Sequence, residues 1–342
     1  MSRPHAITRA AAIGAALLLT LTSCAAADNA AEPNASDSGQ AVTLMLNWYP
    51  YGEHAAIYYG VEQGIFAEHG IDLTIQAGQG STKTVQAVGT NRVDFGWADT
   101  PALLANIDKG VPVKSLGVFL QTTPSAVQIF SDSGIEEPSD LKGKTIAVSA
   151  GDAPTTTFPI FLDAVGLTEA DVTLQNLDAA GKIAAMISGQ VDGLIGFAHD
   201  QGPTIAAKSG KDVSYLRYSD AGLNFYSNGL LANNDLIESD PELMKSMVAA
   251  TSESFAAAVA DPKAAAASME GVDPQIPAPD VILEQWKQTI ALLTTAETTG
   301  EKPGVNSLTD WQATIDTLKE AGLLTSAGPV EDYYDASFSP GS

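Results

Sequence analysis

A single cysteine, Cys24, stands in the 342 residues. One thiol excludes an internal disulfide, a thiolate zinc site and an iron–sulfur cluster. Arginine is nearly absent beyond the first ten residues, where only Arg92 and Arg217 remain. Ligands with a full carboxylate or phosphate are commonly clamped by arginine, so such anions are disfavoured. A sulfonate, which N–H and hydroxyl groups alone can hold, is not excluded. Basic residues are scarce overall: 17 Lys+Arg against 41 Asp+Glu give a formal charge of −24. That field repels phosphodiester backbones and excludes nucleic acid as a partner. Beyond the leader the histidines are His54, His69 and His199, too dispersed to suggest a metal centre. No apolar run after residue 24 approaches the length that spans a bilayer.

What is present is a globular composition, 45% hydrophobic and 17% charged, in a chain long enough for two medium folding units. Residues 1–23 read as an export signal: Arg3 and Arg9 precede an apolar run at 10–21, and Leu-Thr-Ser-Cys closes it at 21–24. Small residues before a cysteine at that place match a bacterial lipoprotein signal, which leaves a lipidated Cys24 as first residue. Residues 24–40, rich in Ala, Asn, Asp, Ser and Gly, read as a flexible tether. The expected location is the outer face of the cell membrane, with the lipid on Cys24 as anchor.

From residue 41 short apolar runs alternate with helical segments, which predicts an α/β fold with mostly parallel sheets. Strands are expected at 42–46, 71–76, 93–97, 113–120 and 126–130, with helices at 53–63, 82–89 and 101–108. After a polar turn at 131–140 the rhythm restarts. Strands are expected at 144–149, 172–176, 191–197, 213–218 and 225–232, with helices at 155–165, 179–188 and 201–208. The remainder reads as helical at 241–269, 279–293 and 308–320. Gly-Thr-Asn-Arg-Val-Asp-Phe-Gly-Trp at 89–97 echoes Gly-Gln-Val-Asp-Gly-Leu-Ile-Gly-Phe at 189–197. Two lobes of related build follow: 41–130 plus 226–342, and 131–225. Strand C-termini and helix N-termini then face a ligand cleft between them.

Several stretches resemble, in their order and spacing, the solute-binding lipoproteins of bacterial ABC importers, in the group of thiamine-pyrimidine-precursor, riboflavin, alkanesulfonate and nitrate binders. They are Leu-Asn-Trp-Tyr-Pro-Tyr-Gly-Glu-His at 46–54, Gly-Ile-Phe-Ala-Glu-His-Gly-Ile-Asp-Leu at 64–73 and Val-Asp-Phe-Gly-Trp-Ala-Asp at 93–99. Leu-Lys-Gly-Lys-Thr-Ile-Ala-Val at 141–148 and Asp-Tyr-Tyr-Asp-Ala-Ser-Phe at 332–338 complete the set. The resemblance implies a two-lobed, periplasmic-binding-protein-like (type II) fold closing on a small-molecule ligand. It also implies an ABC permease as partner, a monomer, no cofactor and no catalysis.

Candidate binding residues sit at strand ends and helix starts. Asn47, Trp48, Tyr49, Tyr51, Glu53 and His54 follow the first strand, where rings can stack on a flat ligand and the acid can accept from it. Ser81 and Thr82 open a helix after a Gly-rich turn that lacks the Gly-Lys-Ser/Thr ending of a nucleotide loop. Asp152, Thr155 and Thr156 are their counterparts in the second lobe. Trp97 and Asp99 end one strand, with Phe197, His199 and Asp200 at its echo. Gln121, Tyr226 and Asn228 lie near the expected crossings. Each has a plain structural alternative: Trp97, Trp48 and Phe197 as core, and the Ser, Thr and Glu residues as helix-end partners.

The expected ligand is a small planar heteroaromatic of the pyrimidine, thiamine-precursor or flavin sort. The alternative within the class is an alkanesulfonate, taurine, nitrate or aromatic carboxylate. An enzyme of thiamine-pyrimidine synthesis is the other class, but that resemblance requires a cysteine-rich motif that this chain lacks. A Ser/His/Asp hydrolase is disfavoured too, because no Gly-x-Ser-x-Gly elbow is present.

Overall fold

The computed structural model describes residues 39–340; the expected signal, Cys24 and nearly all of the tether lie outside them. Among the described residues ten strands form two five-stranded sheets. The first contains β1 (Gln40–Met45), β2 (Ile71–Gln76), β3 (Phe95–Asp99), β4 (Val113–Val118) and β10 (Asn228–Asn233), in the order β2-β1-β3-β10-β4. The second contains β5 (Ser125–Phe130), β6 (Thr145–Val148), β7 (Thr173–Asn176), β8 (Gly193–Phe197) and β9 (Val213–Arg217), in the order β7-β6-β8-β5-β9.

Each sheet is mixed, where mostly parallel sheets were expected. β10 runs antiparallel to both β3 and β4, and β5 runs antiparallel to both β8 and β9. Chain direction explains this. The chain leaves β4 at its C-terminal edge and crosses to the second sheet, entering from the edge where that sheet's strands end. A strand entering from that side must oppose its neighbours, and β10 returns in the same way. Strand 125–130, expected in the first lobe, therefore belongs to the second sheet, and the crossing falls at 119–124 rather than after Phe130. The two crossing segments are bonded to each other, with Ser227 N–H donating to Leu120 O at 2.8 Å and Leu120 N–H to Asn228 O at 2.9 Å.

Both faces of each sheet are covered. In the first, Leu44, Phe95 and Trp97 pack with Phe255 and Trp286 of the C-terminal helices Pro241–Ala260 and Pro279–Ile290. Its other face holds Val85, Leu104 and Trp311. In the second, Ile129, Ile146, Phe161 and Ile195 form one core, and Ala147, Met186 and Leu194 the other. The helix expected at 155–165 is broken into Ala153–Thr156 and Phe158–Ala164, because Pro159 has no N–H to continue the ladder. The helix expected at 201–208 starts earlier, at Ala198, directly off β8. Among the described residues no helix is long and apolar enough to cross a membrane.

Candidate functional site

The segment after β1 is folded back over the end of β2. Gly78 N–H donates to Trp48 O at 2.9 Å, Gly80 N–H to Asn47 O at 2.8 Å, and the Thr84 hydroxyl to Leu46 O at 2.8 Å. These bonds hold Asn47, Trp48 and Tyr51 at the strand ends. Gly80 has a φ of 113°, and a Cβ there would sit 2.6 Å from Gly151 O in the second lobe. Only glycine permits the lobes to approach so closely.

Between them lies a narrow cavity. Asn47, Trp48, Tyr51, Gly80 and Ser81 line it from the first lobe, and Asp152, Ala153, Pro154, Gly196, Phe197, Asp200 and Gln201 from the second. Its volume is about 20 Å³, room for about one water molecule. Trp48 also lines a second cavity of about 630 Å³, bounded by Gly78, Gln79, Lys83, Asn176, Asp178 and Gln275. That volume is in the range of small-molecule clefts.

Behind the narrow cavity lies a polar hub. The buried Glu53 carboxylate accepts from Trp97 Nε1 at 2.6 Å, Asn228 Nδ2 at 2.6 Å, His199 Nε2 at 2.8 Å and the Tyr51 hydroxyl. Burial alone raises a carboxyl pKa, but the bond and charge of His199 and the Trp97 bond outweigh it and hold Glu53 below its usual value. His54 is neutral. Its Nδ1 accepts from Tyr51 N–H at 3.3 Å, so Nε2 donates to Asn47 Oδ1 at 2.8 Å. Burial, opposed by the Glu53 charge and aided by that of His199, lowers its pKa to about 4.

The second lobe contributes a buried cation. Lys182 donates to Asp152 Oδ2 and to Ile195 O, both at 2.8 Å, and its Nζ lies 5.7 Å from the Trp48 ring centre. Asp200 accepts from the Tyr49 hydroxyl at 3.1 Å, and its carbonyl accepts from Gln285 Nε2 at 2.8 Å, so it is bound to the first lobe twice. Burial pushes the Asp200 carboxyl up to about 7, with the Tyr49 bond and the Lys182 charge opposing and the Glu53 charge adding. Asp99 is also pushed up to about 7, by burial first, against the bond that Ser227 donates at 2.7 Å, and with the Glu53 and Asp152 charges adding.

Of the residues expected from sequence, Asn47, Trp48, Tyr51, Ser81, Asp152, Phe197 and Asp200 meet at the cavity wall. Glu53, His54, Asp99 and Asn228 are buried behind it. Thr155 and Thr156 bond Asp152 through the Thr155 N–H and the Thr156 hydroxyl, while Thr82 is only half-buried and off the wall. Three expectations are corrected. Trp97 is core, with its ring 5.4 Å from both Phe255 and Phe119, so it offers no face to a ligand. Gln121 is turned into the first lobe, where it accepts from the Thr298 hydroxyl at 2.6 Å and donates to Val305 O. Tyr226 packs edge-on against Trp311 and bonds Ser307.

Sequence reading missed Lys182, Gln201 and Gln285. Lys182 left a signal: it is the one charge in the Ala-rich helix Ala179–Ile187, beside the buried Ile183. Gln285 left none. The buried polar atoms that lack a hydrogen-bond partner among the described residues include Trp48 Nε1, Asp99 Oδ2, Thr155 Oγ1, His199 Nδ1 and Asn228 Oδ1. The first four belong to residues on the cavity wall or within one residue or one hydrogen bond of it, and Asn228 reaches it through Glu53 and Tyr51. Such groups are costly unless something meets them.

Comparison with known proteins agrees with this architecture. The family model described as NMT1/THI5 like matches residues 52–265. The riboflavin-binding protein RibY of Chloroflexus aurantiacus is 26% identical over 97% of this chain and 98% of its own. The formylaminopyrimidine-binding protein of Halalkalibacterium halodurans is 24% identical over 57% of this chain and 59% of its own. Among solved structures, the alkanesulfonate-binding protein SsuA of Xanthomonas axonopodis pv. citri, bound to MOPS, superposes with a TM-score of 0.66 at 17% identity. It covers 86% of this chain and 98% of that one. The likeness establishes the two-lobed α/β fold.

Proposed function

The chain belongs to the NMT1/THI5-like family, and from that premise we propose that it is a solute-binding receptor of an ABC importer, not an enzyme, and that its solute is a small planar heteroaromatic bearing hydrogen-bond donors. The observation that carries this is the make-up of the cavity wall. Trp48 and Phe197 supply flat apolar surface, and Asp152 and Asp200, from the second lobe, supply acceptors. Ring amines are the donors that such acceptors take. The buried cation there, Lys182, is already matched by Asp152 at 2.8 Å, so a sulfonate or nitrate finds no uncompensated positive charge. The relatives named for riboflavin and formylaminopyrimidine support the same reading.

Closure of the lobes is the delivery signal in this reading. A ring cannot enter a cavity of about 20 Å³ until the lobes part, and the crossings at 119–124 and 218–227 are where they would turn. An extracytoplasmic location follows, with lipid on Cys24 as anchor and a monomer as the working unit. Replacing Cys24 by Ser should move the protein from the membrane fraction to the supernatant without changing ligand affinity.

Melting the purified protein against aminopyrimidines, flavins, alkanesulfonates and nitrate tests the ligand class, since a solute that binds only the folded state raises the midpoint. A shift with a heteroaromatic is the expected result. A shift confined to the sulfonates or nitrate would reject it.

A further inference from the structure

Charge matching across the closed cleft leaves two carboxyls over. Lys182 is paired with Asp152 at 2.8 Å, and the Glu53 carboxylate is held by four hydrogen bonds, from Trp97, Asn228, His199 and Tyr51. His54 carries no charge at neutral pH, its Nδ1 being an acceptor. Asp99 and Asp200 remain, both buried and, among the described residues, neither within ion-pair distance of a cation. Asp99 has only the Ser227 hydroxyl on Oδ1, and its Oδ2 meets no partner among the described residues. Asp200 has neutral donors, the Tyr49 hydroxyl and the Gln201 and Gln285 amides. The other titratable groups around them are Tyr51, Glu53 and Asp152.

We propose that the solute is held as a cation, its positive charge neutralised by Asp200 at the cavity wall and by Asp99 behind Ser81. Asp99 thereby becomes a specificity determinant together with Asp200. This rests on the heteroaromatic reading above and narrows it to rings that are cationic or basic enough to become so. Two buried carboxyls without counter-ions keep their protons at the cost of part of their acidity, as the upward shift of both to about 7 reflects.

The protons then have a defined fate. A permanently cationic ring makes both carboxyls ionise, and their protons leave to solvent. A neutral, weakly basic ring instead takes a carboxyl proton onto its ring nitrogen, forming the same ion pair without net release. A ring with no basic nitrogen can do neither.

Titration calorimetry of the wild-type protein in buffers of different ionisation enthalpy separates these cases. The probes are an N-methylated 4-aminopyrimidinium, 4-aminopyrimidine and 4-pyrimidinone. The methylated cation should release roughly one proton at pH 7, since two groups are each about half protonated there. Its affinity should rise about tenfold per carboxyl from pH 6 to pH 8, as the competent ionised fraction grows. It should also exceed that of the pyrimidinone at least tenfold at pH 8. Asp99→Asn should cut the proton release by about half. Equal affinities for cation and pyrimidinone, or no dependence on buffer, would overturn the cation proposal and leave the ring-binding reading standing. Heat from an alkanesulfonate and from none of the three rings would overturn both.

Discussion

His199 Nε2 lies 2.8 Å from Glu53 Oε2, a bond between a helix that starts on the second sheet and a turn that follows the first. Since Glu53 is held ionised, the imidazole nitrogen is the donor. The carboxylate already accepts from Trp97, Asn228 and Tyr51, all in its own lobe. Those three fix its position before the lobes meet, so closure completes a prepared site and does not have to order one. His199 also stacks on Phe197, with ring centres 5.6 Å apart, and is followed by Asp200. A ligand touching Phe197 and Asp200 is therefore mechanically linked to this bond.

Replacing His199 by Ala should loosen closure. A hydrogen bond to a charged group contributes about 1.5–3 kcal/mol, so ligand affinity should drop by a factor of roughly 10 to 150. Small-angle scattering at saturating ligand should give a larger radius of gyration than wild type. His199→Gln, which retains a donor, should recover part of both. Unchanged scattering and affinity in His199→Ala would reject the coupling.

Glu53→Gln tests the hub itself. An amide offers one acceptor oxygen to four donors and turns its own N–H groups toward them. Breaking a buried charge network typically costs about 3–5 kcal/mol, and a loss of that size is expected in the thermal midpoint, larger than for His199→Ala. A change below about 1 kcal/mol would mean that water replaces the carboxylate there.

The two tryptophans at strand ends should separate cleanly. Trp48→Ala removes a ring from the cavity wall, and loss of a stacking partner is worth about 1–3 kcal/mol of binding with little change in melting. Trp97→Phe keeps the core contact with Phe255 and removes only the donor to Glu53. It should cost about 1–3 kcal/mol of stability and leave the affinity of the folded protein close to wild type. The reverse pattern would restore Trp97 as the ligand platform.

That pair also marks how far the sequence could be read. Strand periodicity located β2 at 71–76 and the last long helix at Leu308–Glu320 without error, because each buries one regular face. Position at a strand end identified both Trp48 and Trp97 as candidates, and only the side of the strand distinguishes them. Trp97 alternates with Gly96 and Ala98 and shares the face of Phe95, which is core. Trp48 lies past the end of β1, where no sheet remains to cover it. The sheet membership of 125–130 was illegible for another reason: an apolar run does not record the direction in which its strand is entered. Gln285 joins the site through the packing of Pro279–Ile290 on the first turn and on the helix of Asp200, contacts 233 and 85 residues apart in sequence.

Asp99 gives the stability of the protein a defined pH dependence. Its folded pKa of about 7 lies above the unfolded value of 3.8, so folding takes up a proton between those values and stability falls as pH rises through them. His54 acts oppositely: folded at about 4 and unfolded at 6.5, it releases a proton on folding and favours the native state as pH rises. Measuring Asp99→Asn against wild type isolates the first effect, because His54 is common to both. Asparagine keeps the acceptor for the Ser227 hydroxyl and removes the ionisation. The two proteins should be closest in stability near pH 4. The variant should gain steadily toward pH 7, by a difference on the order of a few kcal/mol, and the gap should then stay constant. Parallel stability curves across that interval would show that Asp99 ionises as it does in water.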